Sequence, residues 1–206
     1  MTLLPPLKAY VDALPVCIEP ERLQVLTLLI EYIERNVRVD LPVKLVFICT
    51  HNSRRSHLAQ IWAMVAATYY SISIAAYSGG TEETAFNPRA AAAIERAGFE
   101  VEMPEGENPR YSVLYSVDEP SIECFSKLYD DPHNPKQNFA AVITCDHADM
   151  NCPLIPGATR VPVWYEDPKV ADGTAEESLI YDVRTRQIAA EMFFVFRSVR
   201  DLFADV

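Results

Sequence analysis

An apolar segment that ends in a cysteine and a short polar turn constrains this chain more than any other feature of its sequence. The segment 43–48 is apolar apart from Lys44, Cys49 follows it, and residues 50–54 are polar. A helical pattern of apolar residues begins near Ser56. This order predicts a buried strand, a tight loop and the first turn of a helix, whose backbone N–H groups together form an anion-binding site.

Two side chains give the predicted loop a chemistry of its own. Cys49 shares the positive potential of the loop and the helix N-terminus, which favours the nucleophilic thiolate. Arg55 adds a planar guanidinium that can hold two oxygens of a tetrahedral oxyanion. The alternative interpretation is a buried cysteine that ends a strand, with solvated arginines. A cysteine followed by five residues and then Arg-Ser, at a strand-to-helix junction, favours the functional interpretation.

The loop resembles that of the low-molecular-weight protein tyrosine phosphatases and of the thioredoxin-coupled arsenate reductases that share their fold. By position, the resemblance makes Cys49 the nucleophile and Arg55 the oxyanion clamp. The sequence departs from these families at His51, where glycine is usual, and at Arg54, where cysteine is frequent. The residues that the resemblance places around the oxyanion are Thr50, His51, Asn52, Ser53, Arg54, Arg55 and Ser56.

Composition excludes several classes of protein. The 206 residues, half of them apolar, are enough for one well-packed domain. A formal charge of −11 argues against nucleic-acid binding, which needs clustered lysine and arginine. Five cysteines are an odd number, which argues against a fully disulfide-bonded secreted domain. The first residues do not resemble a signal peptide, and the sequence has no apolar run long enough to span a membrane, so a cytoplasmic enzyme is expected.

Residues 1–42 precede the part of the chain that the resemblance covers. Glu19-Pro20-Glu21 is a plausible helix start, and a broad apolar face follows it. That face either packs on the protein's own core or forms a dimer contact, and the first is preferred because a single amphipathic helix most often covers its own domain. We therefore expect an N-terminal helical extension, 1–42, packed on a phosphatase-like domain, 43–206.

Strand and helix patterns alternate after the loop, which predicts a parallel sheet with right-handed crossovers. The fold class expected is a three-layer α/β domain with a four-stranded parallel sheet and helices on both faces. Residues 104–138 are irregular, and 111–115 is either a strand or a cover over the site. The predicted helices are 56–70, 89–97 and 179–203, and the predicted later strands are 71–77, 140–144 and 161–164.

A pair of cysteines follows the predicted strand 140–144, at the same sheet edge as Cys49. Cys145 and Cys152 are separated by six residues, among them Asp146, His147 and Asp149. A zinc site, two ordinary cysteines and a redox pair are the three interpretations, although no second Cys/His pair at zinc spacing exists. The segment resembles the cysteine pair of the thioredoxin-coupled arsenate reductases. That resemblance implies that Cys145 attacks the arsenic adduct of Cys49 and that Cys152 resolves the resulting disulfide.

Asp167 follows the last predicted strand and precedes Pro168. It either opens a turn or, as the resemblance implies, acts as the general acid that protonates the leaving oxygen. The function expected is therefore reduction of arsenate to arsenite by a three-cysteine relay that thioredoxin regenerates, without a cofactor or metal. Two alternatives remain open: a protein tyrosine phosphatase with a phosphocysteine intermediate, acting on phosphate esters, and a catalytically silent oxyanion-binding protein.

Overall fold

A four-stranded parallel sheet forms the centre of the protein. The structure is a computed structural model that describes residues 2–151 and 155–204. The helices are α1 (Pro5–Asp12), α2 (Pro20–Arg38), α3 (Arg55–Tyr69), α4 (Pro88–Arg96), α5 (Asp146–Asn151) and α6 (Glu177–Ala204), with a short 3-10 helix at Pro168–Ala171. The strands are β1 (Val43–Cys49), β2 (Ile74–Gly80), β3 (Glu100–Glu102), β4 (Tyr111–Leu114), β5 (Ile122–Cys124), β6 (Phe139–Ile143) and β7 (Ala158–Pro162).

The strand order β2-β1-β6-β7, with every neighbouring pair parallel, confirms the predicted fold class. Because side chains alternate along a strand, β1 serves two cores. Val43, Leu45 and Phe47 belong to the large core on one face, while Val46 and Ile48 belong to a smaller core on the other. The carboxyl ends of β1, β6 and β7 lie at one edge, where a parallel sheet presents its ligand site.

Two strand boundaries differ from their predictions. The second strand begins at Ile74 and includes the two glycines, because Gly80 pairs with Cys49 at the end of β1. The last strand begins at Ala158, because β7 pairs along the whole of β6. The start of β7 was missed because Thr159 and Arg160 are polar and exposed, and exposed polar residues are common in edge strands.

A second sheet, antiparallel and ordered β3-β4-β5, occupies part of the irregular stretch. It contains Tyr111–Leu114. Of the two interpretations left open for 111–115, a strand or a cover over the site, the structure therefore shows a strand. From residue 125 the chain runs back along the end of β2, where Leu128 bridges Gly80. This return brings residues 126 and 127 to the loop after β1.

The N-terminal segment forms helices, as predicted, and contributes to the large core. Leu7 of α1 and the pair Leu26 and Leu29 of α2 are fully buried there. Arg22 at the start of α2 donates to Glu191 of α6 through Nε and Nη2, at 2.8 and 2.7 Å. The division of the chain at residue 42 stays a prediction. No helix in the described part of the chain is both long and apolar enough to cross a membrane.

Candidate active site

The site is built around the loop between β1 and α3. Cys49 ends β1 and is 4% exposed, and its Sγ lies 3.1 Å from the hydroxyl oxygen of Ser56. Ser56 accepts a bond from Asn52 Nδ2 at 2.9 Å, so its one hydroxyl proton is available to Cys49. Asn52 has a φ of 44°, which turns the loop tightly. Ser56 can therefore stabilise negative charge on the Cys49 sulfur.

The loop carbonyls bond to the segment that connects β2 to α4. The oxygen of Cys49 accepts from the N–H of Thr81, and that of Thr50 accepts from the N–H of Glu82 at 2.8 Å. The carbonyl of Ser53 accepts from the N–H of Asn87 at 2.8 Å. The backbone N–H groups of the loop, unlike its carbonyls, are not paired with any residue that the structure describes. Within residues 2–151 and 155–204, the N–H groups of residues 50–54 donate to no acceptor. Unpaired N–H groups in a largely buried loop suit an anion.

Arg55 is held in a fixed orientation. Its Nη1 donates to the carbonyl of Tyr165 at 3.0 Å, and its Nη2 donates to Asp167 Oδ2 at 2.7 Å. Its Nε is buried and has no partner in the described part of the chain. The sequence-predicted clamp and the sequence-predicted acid are thus in direct contact, and these two bonds use two of the five guanidinium N–H groups.

Asp167 has two roles in the local structure. Its Oδ1 accepts from the N–H of Lys169 at 3.0 Å and caps the short 3-10 helix, while its Oδ2 faces Arg55. The turn-forming role and the chemical role that the sequence left as alternatives therefore involve different oxygens of one carboxylate.

Arg54 and His51, the two departures from the family pattern, bind side chains other than those that contact Arg55. Arg54 Nε donates to the hydroxyl of Tyr181 at 2.7 Å, and its Nη2 donates to Asp172 at 3.0 Å. Burial raises the pKa of Tyr181 to about 12, so this hydroxyl stays protonated and donates to Asp172. His51 forms a contact of 3.1 Å with Glu82, and both side chains are exposed.

Cys145 lies beside the loop, fully buried, and shares the smaller core with Cys49. Its Sγ is 3.5 Å from Thr50 Oγ1 and accepts a bond from the N–H of Ala148 at 3.3 Å. Both Cys49 and Cys145 are free thiols. Cys152, the predicted resolving cysteine, lies outside the described residues. The structure therefore brings together four of the predicted site features: the loop, Arg55, Asp167 and Cys145.

Sequence reasoning missed three contributors to the site. The N–H of Lys127 donates to Asn52 Oδ1 at 2.9 Å, and the hydroxyl of Ser126 donates to the carbonyl of His51 at 3.0 Å. The carbonyl of Tyr165 orients Arg55. Burial lowers the pKa of Lys127, whose ammonium lies 4.4 Å from the centre of the Phe125 ring. Lys127 and Tyr165 contribute backbone groups, which leave no signal in sequence, and Ser126 lies in the stretch that shows no regular pattern.

The described residues contain no group of three or more His, Cys, Asp or Glu side chains arranged to hold a metal ion. In particular, Asp149 pairs with Arg160 at 2.6 Å. The chemistry that this arrangement allows is nucleophilic attack on an oxyanion held by backbone N–H groups and a guanidinium, with a carboxyl group beside it.

Comparison with known proteins gives relatives in sequence and in structure. The chain is 26% identical over 146 residues to an arsenate reductase of Bacillus licheniformis, covering 70% of this chain and 88% of the relative. It is 30% identical over 125 residues to an arsenate reductase of Staphylococcus aureus strain Newman, covering 59% and 76%. No family model matches the chain.

Two solved structures show the same fold. One is an arginine phosphatase of Geobacillus stearothermophilus, with a TM-score of 0.51, 13% identity, and coverage of 80% of this chain and 97% of that one. The other is a low-molecular-weight phosphotyrosine phosphatase of Vibrio cholerae, with a TM-score of 0.50, 16% identity, and coverage of 76% and 95%. At these identities the likeness concerns the fold alone.

Proposed function

Because this chain belongs to the arsenate reductase family of low-molecular-weight-phosphatase-like proteins, we propose that it reduces arsenate to arsenite by a relay of Cys49, Cys145 and Cys152. The observation that carries the proposal is the position of Cys145. A second free thiol, buried against the loop that holds Cys49, has no use in phosphate ester hydrolysis, whereas thiol exchange requires one within reach.

The first step is attack of the Cys49 thiolate on arsenate. The N–H groups of residues 50–54 and the guanidinium of Arg55 hold the oxygens, and Ser56 stabilises the thiolate until it reacts. Asp167, which accepts from Arg55 in the free protein, takes up a proton from solvent when the oxyanion replaces it at the guanidinium. It then donates this proton to the departing oxygen, which leaves as water. An S–As bond forms as an As–O bond breaks, and arsenic stays in its +5 state.

The second step transfers two electrons to arsenic. Cys145 attacks the sulfur of Cys49, an S–S bond forms, and the S–As bond breaks with its electron pair on arsenic. Arsenite leaves as the reduced product, and two thiols have become one disulfide. Cys152 then attacks Cys145 and releases Cys49, and the Cys145–Cys152 disulfide is reduced by thioredoxin. Such a cycle operates in a reducing compartment, so we place the enzyme in the cytoplasm.

The second candidate is a phosphatase acting on phosphate esters. The loop with Cys49, Arg55 and Asp167 supports it, because these three groups suffice to bind and cleave a phosphate ester once Asp167 carries a proton. Water would then hydrolyse a phosphocysteine at Cys49, and Cys145 would have no role. A silent oxyanion-binding protein is the third candidate, but it needs neither Cys49 nor Asp167.

A side-by-side assay distinguishes the candidates. Arsenite production is followed with thioredoxin, thioredoxin reductase and NADPH, and phosphatase activity is followed with para-nitrophenyl phosphate. We expect arsenate reduction that is lost in Cys145→Ser, with any aryl phosphatase activity retained. Cys124→Ser is the matched control, because Cys124 is also a buried free thiol and has no role in the relay. Full arsenate reduction by Cys145→Ser would overturn the relay, and the absence of both activities would favour the silent binder.

A further inference from the structure

The hydroxyl of Thr50 lies between a sulfur and an imidazole. Thr50 Oγ1 is 3.5 Å from Cys145 Sγ and 3.2 Å from His147 Nδ1. A threonine hydroxyl has one proton to donate and two lone pairs to accept. It can accept the thiol proton of Cys145 while it donates its own proton to a neutral His147 ring nitrogen. The three groups therefore form a continuous path for one proton.

The surroundings of Cys145 favour its anion once the proton has left. The N–H of Ala148, in the first turn of α5, donates to Cys145 Sγ at 3.3 Å. A hydrogen bond from a backbone N–H stabilises a thiolate. Since the sulfur itself is fully buried, its proton needs a route to solvent. His147 is exposed at the surface of α5 and provides the end of such a route.

The other titratable groups near His147 are already engaged. Asp146 Oδ1 accepts from the N–H of His147 at 2.8 Å, and Asp149 pairs with Arg160 at 2.6 Å. On the loop that carries Thr50, His51 contacts Glu82 at 3.1 Å. Among these groups, His147 is the one whose ring contacts the hydroxyl that touches Cys145.

We propose that His147 takes up the thiol proton of Cys145 through the hydroxyl of Thr50, which prepares Cys145 to attack Cys49. The proposal rests on the proposed function. The S–H bond of Cys145 breaks and an O–H bond to Thr50 forms, while the original hydroxyl proton of Thr50 moves to His147 Nδ1. No electrons are transferred in this step. The proton stays on His147, and the positive charge of the imidazolium, one hydroxyl away from the sulfur, favours the Cys145 thiolate. His147 acts through Thr50, so it is a positioning residue rather than a group that touches the substrate.

The test measures Cys145 directly and needs no arsenate. In a Cys49→Ser background, the rate at which iodoacetamide alkylates Cys145 is followed against pH, with peptide mapping to separate Cys145 from the other cysteines. We expect the rate to carry an inflection where histidines titrate, between about pH 5 and 8. At pH 7, His147→Gln and Thr50→Val should each slow alkylation about tenfold, because fewer molecules carry the thiolate. Thr50→Ser keeps the hydroxyl and should restore the rate.

His133→Gln is the control, since His133 is exposed and pairs with Asp131 away from the loop. It should leave alkylation of Cys145 unchanged. Equal rates in wild type, His147→Gln and Thr50→Val, or a profile without the histidine inflection, would overturn the proton path even if Cys145→Ser still blocks arsenite formation. Slower alkylation in His147→Gln combined with full arsenate reduction by Cys145→Ser would support the path and overturn the relay, so the two failures are distinguishable.

Discussion

At the scale of single residues, the geometry of the site depends on the orientation of the Arg55 guanidinium. Its two terminal nitrogens reach different groups, the carbonyl of Tyr165 and the carboxylate of Asp167, at 3.0 and 2.7 Å. A guanidinium fixed at two points presents its remaining N–H groups in a constant direction. Arg54, its neighbour, is fixed equally well but toward Tyr181 and Asp172. Two adjacent arginines thus have different partners.

This difference predicts unequal effects of one conservative change. Arg55→Lys keeps the charge but offers no planar pair of donors, so we expect kcat/KM for arsenate to fall at least about tenfold, or roughly 1.4 kcal/mol of transition-state stabilisation. Arg54→Lys should lower kcat/KM much less and act mainly on stability, because it loses contacts to Tyr181 and Asp172. Steady-state kinetics of both variants check this, and equal losses would mean that the guanidinium of Arg54 also faces the oxyanion.

The residues that sequence reasoning could find were those with a motif around them. Cys49 and Arg55 are separated by five residues in a strand–loop–helix pattern, and Asp167 precedes a proline after the last strand. Lys127 and the carbonyl of Tyr165 could not be found in this way. Their roles arise from backbone groups that the fold places against the loop, and any side chain can accompany such a backbone contact.

At the scale of elements, the loop is shaped from outside by the end of β2. Gly80 pairs with Cys49, and the segment after it donates to the loop carbonyls. The backbones approach so closely that only a hydrogen fits between them. A Cβ at Gly80 would lie 2.5 Å from the carbonyl oxygen of Glu82 and 2.7 Å from Asn52 N and Thr50 O.

Gly80→Ala is therefore expected to distort the loop. We predict a loss of at least about tenfold in activity, since misplacement by an ångström can cost about a hundredfold, and a loss of about 1–3 kcal/mol in the free energy of unfolding. Gly157→Ala is the control. It strains a backbone with a φ of 79°, at about 1–2 kcal/mol, yet a Cβ there meets no atom closer than 3.4 Å. Comparable activity of the two variants, measured at equal folded fraction, would refute the steric argument.

Elements with strong periodicity were predictable, and short ones were not. The helix α4 was expected from Asn87-Pro88, and the Asn87 side chain does cap it by accepting from the N–H of Arg89 at 2.9 Å. The antiparallel sheet escaped detection because two of its strands, Glu100–Glu102 and Ile122–Cys124, are three residues long. So short a strand holds too few alternations to stand out from a loop.

At the scale of the whole molecule, the buried His57 joins α3 to the irregular stretch. His57 in α3 is fully buried, lies 3.1 Å from the carbonyl oxygen of Phe125 through Nε2, and packs against the ring of Phe86 at 4.4 Å. Burial, with a smaller contribution from the charge of Lys127, lowers the pKa of His57 from 6.5 to about 3. The folded protein therefore keeps this imidazole neutral where the unfolded chain protonates it.

The difference between the two pKa values of His57 determines how the free energy of unfolding changes with pH. Below pH 6.5 His57 is protonated in the unfolded chain, whereas in the folded chain it stays neutral down to about pH 3. The free energy of unfolding should thus decrease as pH falls through this window, with up to about 1.4 kcal/mol per unit from His57. Urea unfolding between about pH 7 and 5 checks this. His57→Gln should show a shallower decrease than wild type and than the control His133→Gln, whereas identical slopes would assign the pH dependence to other groups.

In the proposed relay Cys145 completes the reaction that Cys49 begins, and the disulfide formed in a Cys152 variant would reveal this step. Cys152→Ser removes the predicted resolving thiol, so the relay should stop after one turnover with arsenate. Peptide mapping by mass spectrometry under non-reducing conditions then identifies the cysteines that are joined. We expect a disulfide between Cys49 and Cys145, with a single equivalent of arsenite released per chain. Multiple turnovers by Cys152→Ser, with Cys49 and Cys145 still unlinked, would contradict it.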